Sequence, residues 1–181
     1  MGGIVISLAE NNKVYTQTIK TEIPLKFIVV IPEFELSTEK ARKILPEKVP
    51  FKDAVFNASH LAFLINSLIT GDINLLKISL QDRLHEQYRG QLISGCYDVT
   101  NIAVKNGAIG SVLSGAGPTI LALAIENEER IANSMQETFL NHGINSSIKI
   151  LQLDNQGTVL ITHPPNPLPR SVSRLLVRDD L

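Results

Sequence analysis

The residues best suited to binding chemistry form a bare glycine-proline loop between two short apolar runs. The loop consists of Ser114, Gly115, Ala116, Gly117 and Pro118. Its two glycines accept a positive φ and carry no Cβ, so a ligand can approach the backbone closely. Successive amides in such a turn can form a concave anion-binding site. The alternative interpretation is a tight structural turn between two core strands.

Two arginines in separate segments, Arg42 and Arg89, lie in stretches predicted to be helical, and the residues alone leave their role open. A guanidinium group binds both oxygens of a carboxylate in one plane. Arg89 follows His85 by four residues, so a continuous helix would place both on one face. The alternatives are a solvated helix charge for Arg42 and a surface ion-pair ladder for Arg89.

A further candidate, His60, lies in the longest predicted helix, over residues 51–70. Apolar residues recur there at spacings of three and four and extend around nearly the whole helix. We therefore expect the helix to be covered on two sides. A lone histidine in such a place is more often a hydrogen-bonded structural residue than a ligand-binding one.

These candidates must be positioned by an alternation of short strands and helices. The pattern predicts strands at 3–9, 14–20, 27–31, 108–113, 119–125, 147–153 and 158–161, and helices at 37–45, 51–70, 72–89, 97–106 and 127–142. This order predicts an α+β fold with two layers, a largely antiparallel sheet and helices packed on one face.

Composition narrows the class of protein. The 181 residues have a formal net charge of −1, which favours neither a nucleic-acid nor an anionic-membrane partner. No apolar run reaches membrane-spanning length. The single cysteine, Cys96, cannot form an internal disulfide, which indicates a reducing, cytoplasmic setting.

Four segments carry a resemblance to a known family. The glycine loop at 114–119 resembles the third motif of the GHMP small-molecule kinases, which include galactokinase and the mevalonate and homoserine kinases. The segments Thr-x-x-Ala-Arg-x-x-Leu-Pro at 38–46 and Asp-x-x-His-x-x-x-Arg at 82–89 resemble the homoserine kinases, as does 153–157. Ser94 departs from the pattern, because relatives usually have proline there.

The resemblance implies an activity and a set of site residues. Arg42 and Arg89 would bind the substrate carboxylate, His60 and His85 would line its pocket, and the glycine loop would close it. The reaction would transfer a phosphoryl group from ATP, with Mg²⁺, to L-homoserine, giving ADP and O-phospho-L-homoserine for threonine biosynthesis. The fold would be that of a GHMP kinase C-terminal domain.

The resemblance covers only the C-terminal half of a full kinase. The family's nucleotide loop, Pro-x-x-x-Gly-Leu-Gly-Ser-Ser-Ala, is absent from this sequence. We therefore expect no catalytic residue and no metal site here, no useful turnover of ATP by the chain alone, and a missing N-terminal kinase domain as partner. The expected division is a remnant of that domain at 1–10, the C-terminal domain at 11–162 and a flexible Pro/Arg tail at 163–181.

Two alternatives remain open. The chain could be a non-catalytic amino-acid-binding or interaction remnant, in which case a bare sheet edge predicts self-association into homo-oligomers. It could also belong to another GHMP small-molecule kinase, since these share the glycine loop.

Overall fold

A computed structural model describes residues 2–159 of the chain. The strands are β1 (Ile4–Glu10), β2 (Lys13–Ile19), β3 (Lys26–Pro32), β4 (Gly110–Leu113), β5 (Ile120–Ala124) and β6 (Ser146–Gln152). The helices are α1 (Thr38–Lys43), α2 (Phe51–Thr70), α3 (Ile73–Ser79), α4 (Glu86–Arg89), α5 (Cys96–Lys105) and α6 (Glu128–Asn141), with a 3₁₀ turn at Gly90–Leu92. The α+β class predicted from the sequence is confirmed.

The strands form two separate antiparallel sheets. Four of them pair in the order β4-β5-β3-β6, so β4 and β6 are the edges within the described residues. The other two, β1 and β2, form a hairpin in which Ile4 pairs with Ile19 and Glu10 with Lys13. The predicted domain boundary between residues 10 and 11 falls in the turn of this hairpin and stays a prediction.

Alternating side chains of the four-stranded sheet pack into two apolar clusters, one on each face. Ile28, Val30 and Ala122 point to one face and are buried against α5 and α6. On the other face, Leu121 and Leu123 join a second cluster that includes Leu68 and Leu76 of α2 and α3 and residues at the base of the hairpin. The sequence predicted helices packed on one face of the sheet, and α5 and α6 are those helices. The second face is partly covered as well, because both alternating sets of strand side chains are apolar.

The predicted helix at 72–89 is wrong as a continuous element. It begins at the predicted cap, where the Asp72 carboxylate accepts the Leu75 amide at 2.9 Å, but α3 ends at Ser79 and α4 begins only at Glu86. The break lies at Asp82, whose carboxylate accepts the next backbone amides and so competes with helical hydrogen bonds. The candidate His85 therefore caps α4 and does not share one continuous helix with Arg89.

Helix α2 has the predicted bounds, but it is not covered on two sides by the residues described. Only Ser67 and Leu68 are buried along its 20 residues. Large apolar side chains lie exposed on it, from 48% to 85% of their surface, at Phe51, Val55, Leu61, Phe63 and Ile69. Neither α2 nor any other helix described here is long and apolar enough to cross a membrane.

Past β6, residues 153–159 form no further strand. Of the strand predicted at 158–161, Thr158 and Val159 lie outside any strand. Residues 160–161 and the predicted tail at 163–181 lie outside the described residues.

Gly95 tests the packing between α5 and α6, because a Cβ there would lie 2.4 Å from Cδ2 of His142. Gly95 has φ +74°, so Gly95→Ala combines left-handed strain of about 1–2 kcal/mol with overpacking of about 1–3 kcal/mol. Gly71→Ala is the matched control, since Gly71 has φ +76° with nothing within 4 Å. Urea unfolding should show the larger loss of stability for Gly95→Ala. Equal losses would contradict the packing.

Candidate substrate site

The glycine loop closes the β4-β5 hairpin. The Ser114 amide donates to the Thr119 carbonyl at 2.9 Å, and the Gly117 amide donates to the Ser114 carbonyl at 3.0 Å. Gly115 and Gly117 have φ values of +61° and +82°, and the Gly117-Pro118 peptide is cis. A Cβ on Gly117 would lie 3.0 Å from the side chain of Ile93, so this position requires glycine on two grounds.

Arg89 joins the loop to α1. Its Nε donates to the Ala41 carbonyl at 3.0 Å, and its Nη1 donates to the Gly115 carbonyl at 3.1 Å. These bonds bring together three segments that are distant in sequence. Arg42 is the residue next to Ala41 in α1, and its side chain is exposed. The structure therefore places Arg89 against both the glycine loop and the backbone beside Arg42, while the ligand role of both arginines stays a prediction.

Glu86, at the start of α4, holds the other side of the loop. Its Oε1 accepts the backbone amide of Leu113, the last residue of β4. Burial raises the pKa of the Glu86 carboxyl above its usual range, the Leu113 amide offsets part of that rise, and the Asp82 charge adds to it. Sequence reasoning did not single out Glu86. Its place between His85 and Arg89 in the motif was the only available signal.

The connection between α3 and α4 is fastened to α2 by Asn57. The Asn57 amide donates to Oδ2 of Asp82 at 2.6 Å, and its Oδ1 accepts the Arg83 amide at 2.8 Å. The Arg83 guanidinium lies 3.7 Å from the centroid of the Phe56 ring. Both contacts fix where α4 begins, and therefore where Glu86 and Arg89 lie.

Asp82 organises this connection from within. Its Oδ1 accepts the amides of Leu84, His85 and Glu86 at 3.0, 2.6 and 2.8 Å. Burial alone would raise the pKa of the Asp82 carboxyl, but the bonds from the Glu86 and His85 amides and from Asn57, helped by the His85 side chain, outweigh burial and hold it below its usual range. The carboxylate is therefore charged at neutral pH.

The two candidate histidines have different surroundings. The Nδ1 atom of His60 lies 2.8 Å from the Phe56 carbonyl, and its ring stacks on Phe56 at a centroid distance of 3.7 Å. These contacts are those of a structural histidine, and its pocket role stays a prediction. In His85, Nε2 lies 3.5 Å from Oδ2 of Asp82, and the buried Nδ1 has no partner among the described residues.

A cleft of about 540 Å³ lies between α2 and the α3-α4 connection. It falls within the roughly 300–1,000 Å³ of small-molecule sites, and its walls include Asn57, Leu61, Leu64, Asp82 and His85. Neither arginine, the glycine loop nor His60 lines it. The structure thus groups the predicted residues in two places, the cleft with His85 and the loop with Arg89, and α4 connects them.

The described residues do not fit a resident metal ion. Within residues 2–159, no three His, Cys, Asp or Glu side chains are grouped closely enough to hold one.

In the glycine loop, the amides of Ser114 and Gly117 donate to carbonyls of the hairpin itself. That leaves the amides of Gly115 and Ala116 as candidate donors to an anion.

Comparison with known proteins places this arrangement in a family. The family described as GHMP kinases C terminal matches residues 64–141, which run from the second half of α2 to the end of α6 and include Arg89 and the glycine loop. Residues 64–141 thus match a GHMP kinase C-terminal domain.

Within that class, the chain is similar to homoserine kinases. It is 41% identical to the homoserine kinase of Halothermothrix orenii over 162 residues, which are 90% of this chain and 52% of that protein. It is 40% identical to that of Clostridium beijerinckii over 161 residues, 89% of this chain and 54% of the relative. The chain spans about half the length of the curated relatives it matches.

Solved structures agree. The crystal structure of homoserine kinase from Cytophaga hutchinsonii superposes with a TM-score of 0.80 at 28% identity, covering 84% of this chain and 49% of that one. The L. major mevalonate kinase, solved with R-mevalonate, has a TM-score of 0.61 at 17% identity, covering 84% of this chain and 50% of that one. The second likeness shows the fold alone.

Asp82→Asn tests whether the charge of the Asp82 carboxylate stabilises the α3-α4 connection. Because the fold lowers the pKa of Asp82, its carboxylate stabilises the protein above the ordinary aspartate pKa of about 3.9, and this contribution is lost as pH falls through the lowered value. We expect the variant to lose about 1–3 kcal/mol of unfolding free energy at pH 7. The deficit should shrink in acid.

The measurement is urea unfolding of both proteins at neutral pH and at about pH 3. Asp72→Asn is the control, because asparagine caps a helix about as well as aspartate. A deficit for Asp82→Asn that is the same at both pH values would contradict the role given to the charge.

Proposed function

We propose that this chain is the substrate-binding half of a homoserine kinase, which transfers a phosphoryl group from ATP to L-homoserine in the cytoplasm, for threonine biosynthesis. The observation that carries the proposal is the pair of hydrogen bonds from Arg89 to Ala41 and Gly115. They join three of the four segments on which the resemblance rests. The similarity of about 40% to homoserine kinases supports the same substrate.

Arg89 is suited to present the rest of its guanidinium to a carboxylate. A guanidinium has five N–H donors, and the bonds to Ala41 and Gly115 use one on Nε and one on Nη1. Both donors on Nη2 and one on Nη1 are left for a ligand. Because the two carbonyls fix the plane of the group, a carboxylate would be met by a positioned fork. Arg42, exposed on α1, would supply the second positive charge.

The phosphate donor and its metal ion would be held elsewhere. ATP supplies the phosphoryl group and Mg²⁺ neutralises its charge when both are bound. Because this sequence lacks the family's nucleotide loop, we assign both to the other half of the enzyme. The chain's own part would be to orient homoserine and to close the site with the loop at 114–118.

The other half would have an apolar surface to pack against. The hairpin exposes Leu8, Val14 and Tyr15, of which Val14 is 69% exposed, and α2 exposes a further set that includes Phe51 and Phe63. Clusters of exposed apolar side chains on soluble proteins mark interaction surfaces. We propose that the missing N-terminal kinase domain packs against these exposed apolar side chains. A second copy of the chain is the competing occupant and would appear as a concentration-dependent dimer in ultracentrifugation.

Calorimetric titration with L-homoserine tests the pocket. We expect Arg42→Ala and Arg89→Ala each to weaken binding about tenfold or more, because a charge-assisted hydrogen bond contributes about 1.5–3 kcal/mol. Arg89→Lys should not restore affinity, since lysine lacks the planar fork. Arg130→Ala is the control, because Arg130 binds the Asn106 carbonyl in another part of the fold. Equal affinity in wild type and Arg89→Ala would overturn the assignment.

Complementation tests the division of labour. The chain alone should show no phosphorylation of homoserine. Mixing it with the remaining N-terminal segment of the Halothermothrix orenii homoserine kinase should produce activity, which a coupled assay for ADP detects. The same mixture made with Arg89→Ala should stay inactive. Turnover of homoserine by the chain alone would show that the division is wrong.

The second candidate is a non-catalytic amino-acid-binding domain. The observation that supports it is the cleft of about 540 Å³ whose walls include Asn57, Asp82 and His85. It predicts homoserine binding in the titration without activity in the mixture. Another GHMP kinase specificity would instead appear as binding of mevalonate in preference to homoserine.

A further inference from the structure

We propose that Glu86 is a positioning residue that fixes the glycine loop relative to Arg89, so that both present one rigid binding surface. The inference rests on the proposed function, because it concerns the site that would bind the homoserine carboxylate. No atom of Glu86 needs to touch the ligand for this role.

Glu86 and Arg89 bind backbone groups on either side of Ser114, at the start of the glycine loop. They lie three residues apart in α4, so their side chains share one side of that helical turn. Glu86 accepts the amide of Leu113, and Arg89 donates to the carbonyl of Gly115. The loop's first residue, Ser114, lies between these two points. The short helix α4 thus binds the backbone at Leu113, just before the loop, and at Gly115, the second residue of the loop.

The amide that Glu86 binds belongs to an edge strand of the sheet. Strand β4 is an edge of the four-stranded sheet. The Ser114 amide donates across the hairpin to Thr119, and Leu113 pairs with Ile120. Because amides alternate in direction along a strand, the Leu113 amide points away from β5. Without Glu86 this amide would lose its bond to α4, and the loop would be linked to α4 through the Arg89–Gly115 bond alone.

The surroundings hold the Glu86 carboxylate in place. Glu86 lines a small cavity of about 50 Å³ together with Cys96, Tyr97, Thr100 and Ser111. Burial and the Glu86 charge raise the pKa of the Cys96 thiol to about 11, so the thiol stays protonated at neutral pH. With a neutral thiol and little free volume beside it, the carboxylate has few alternative positions.

The consequence for binding follows from the geometry that a bound carboxylate requires. A carboxylate bound by a guanidinium fork requires donors in one plane, and misplacement of a binding group by about 1 Å has large effects on a site. Glu86→Ala leaves the loop held to α4 by the Arg89 bond alone, so the loop can move relative to the Arg89 guanidinium. Glu86→Gln keeps an oxygen at the same place and should keep the loop in position.

Two measurements on the full chain test the proposal. Amide hydrogen exchange at Leu113 and through residues 114–117 should accelerate by about tenfold or more in Glu86→Ala and stay near wild type in Glu86→Gln. Homoserine affinity, titrated at a temperature where every variant is folded, should fall by about tenfold in Glu86→Ala and be restored by Glu86→Gln. Glu129→Ala, at an exposed residue of α6, is the control.

The outcomes separate this proposal from the function it rests on. Unchanged exchange at Leu113 in Glu86→Ala overturns it. Faster exchange with wild-type affinity for homoserine also overturns it, because Glu86 would then be a structural residue only. If the wild-type chain binds no homoserine but exchange follows the pattern above, the proposed substrate fails, while the control of the loop by Glu86 is supported.

Discussion

The site depends on one interaction, the hydrogen bonds by which the Arg89 guanidinium holds the backbone carbonyls of Ala41 and Gly115. Backbone carbonyls cannot rotate away as side chains can, so the orientation of the group is set by the main chain on both sides. A charged donor in such a place strengthens both bonds. The glycine loop, α1 and α4 therefore form one rigid assembly, although 26 and 48 residues of chain separate the bonded pairs.

Helix α4 is held in this assembly by polar contacts more than by a buried apolar face, since none of its four residues is buried. Asp82 orients the amides at its start, Asn57 fastens Asp82 to α2, and Glu86 binds the edge of β4. Hydrogen bonds are directional where apolar packing is not. A site that must hold a small polar ligand in one orientation gains from that arrangement.

The sequence allowed most elements to be predicted, because the signals are local. The spacing of apolar residues and the glycine at its end defined α2, and the Gly-Pro loop between two apolar runs defined β4 and β5. The break before α4 was missed because Asp82 resembles any helical aspartate until Asn57, 25 residues away, is seen beside it. Glu86 was missed because the sequence does not show that Leu113 ends an edge strand. The resemblance placed Arg89 in the site, which its surroundings in sequence would not have done.

The separation of the β1-β2 hairpin from the larger sheet makes the two strand registers independent of each other. The hairpin shares no strand pairing with β3, β4, β5 or β6. A slip of one residue between β1 and β2 would therefore leave every hydrogen bond of the four-stranded sheet in place, although it would turn the hairpin's own side chains to the opposite face.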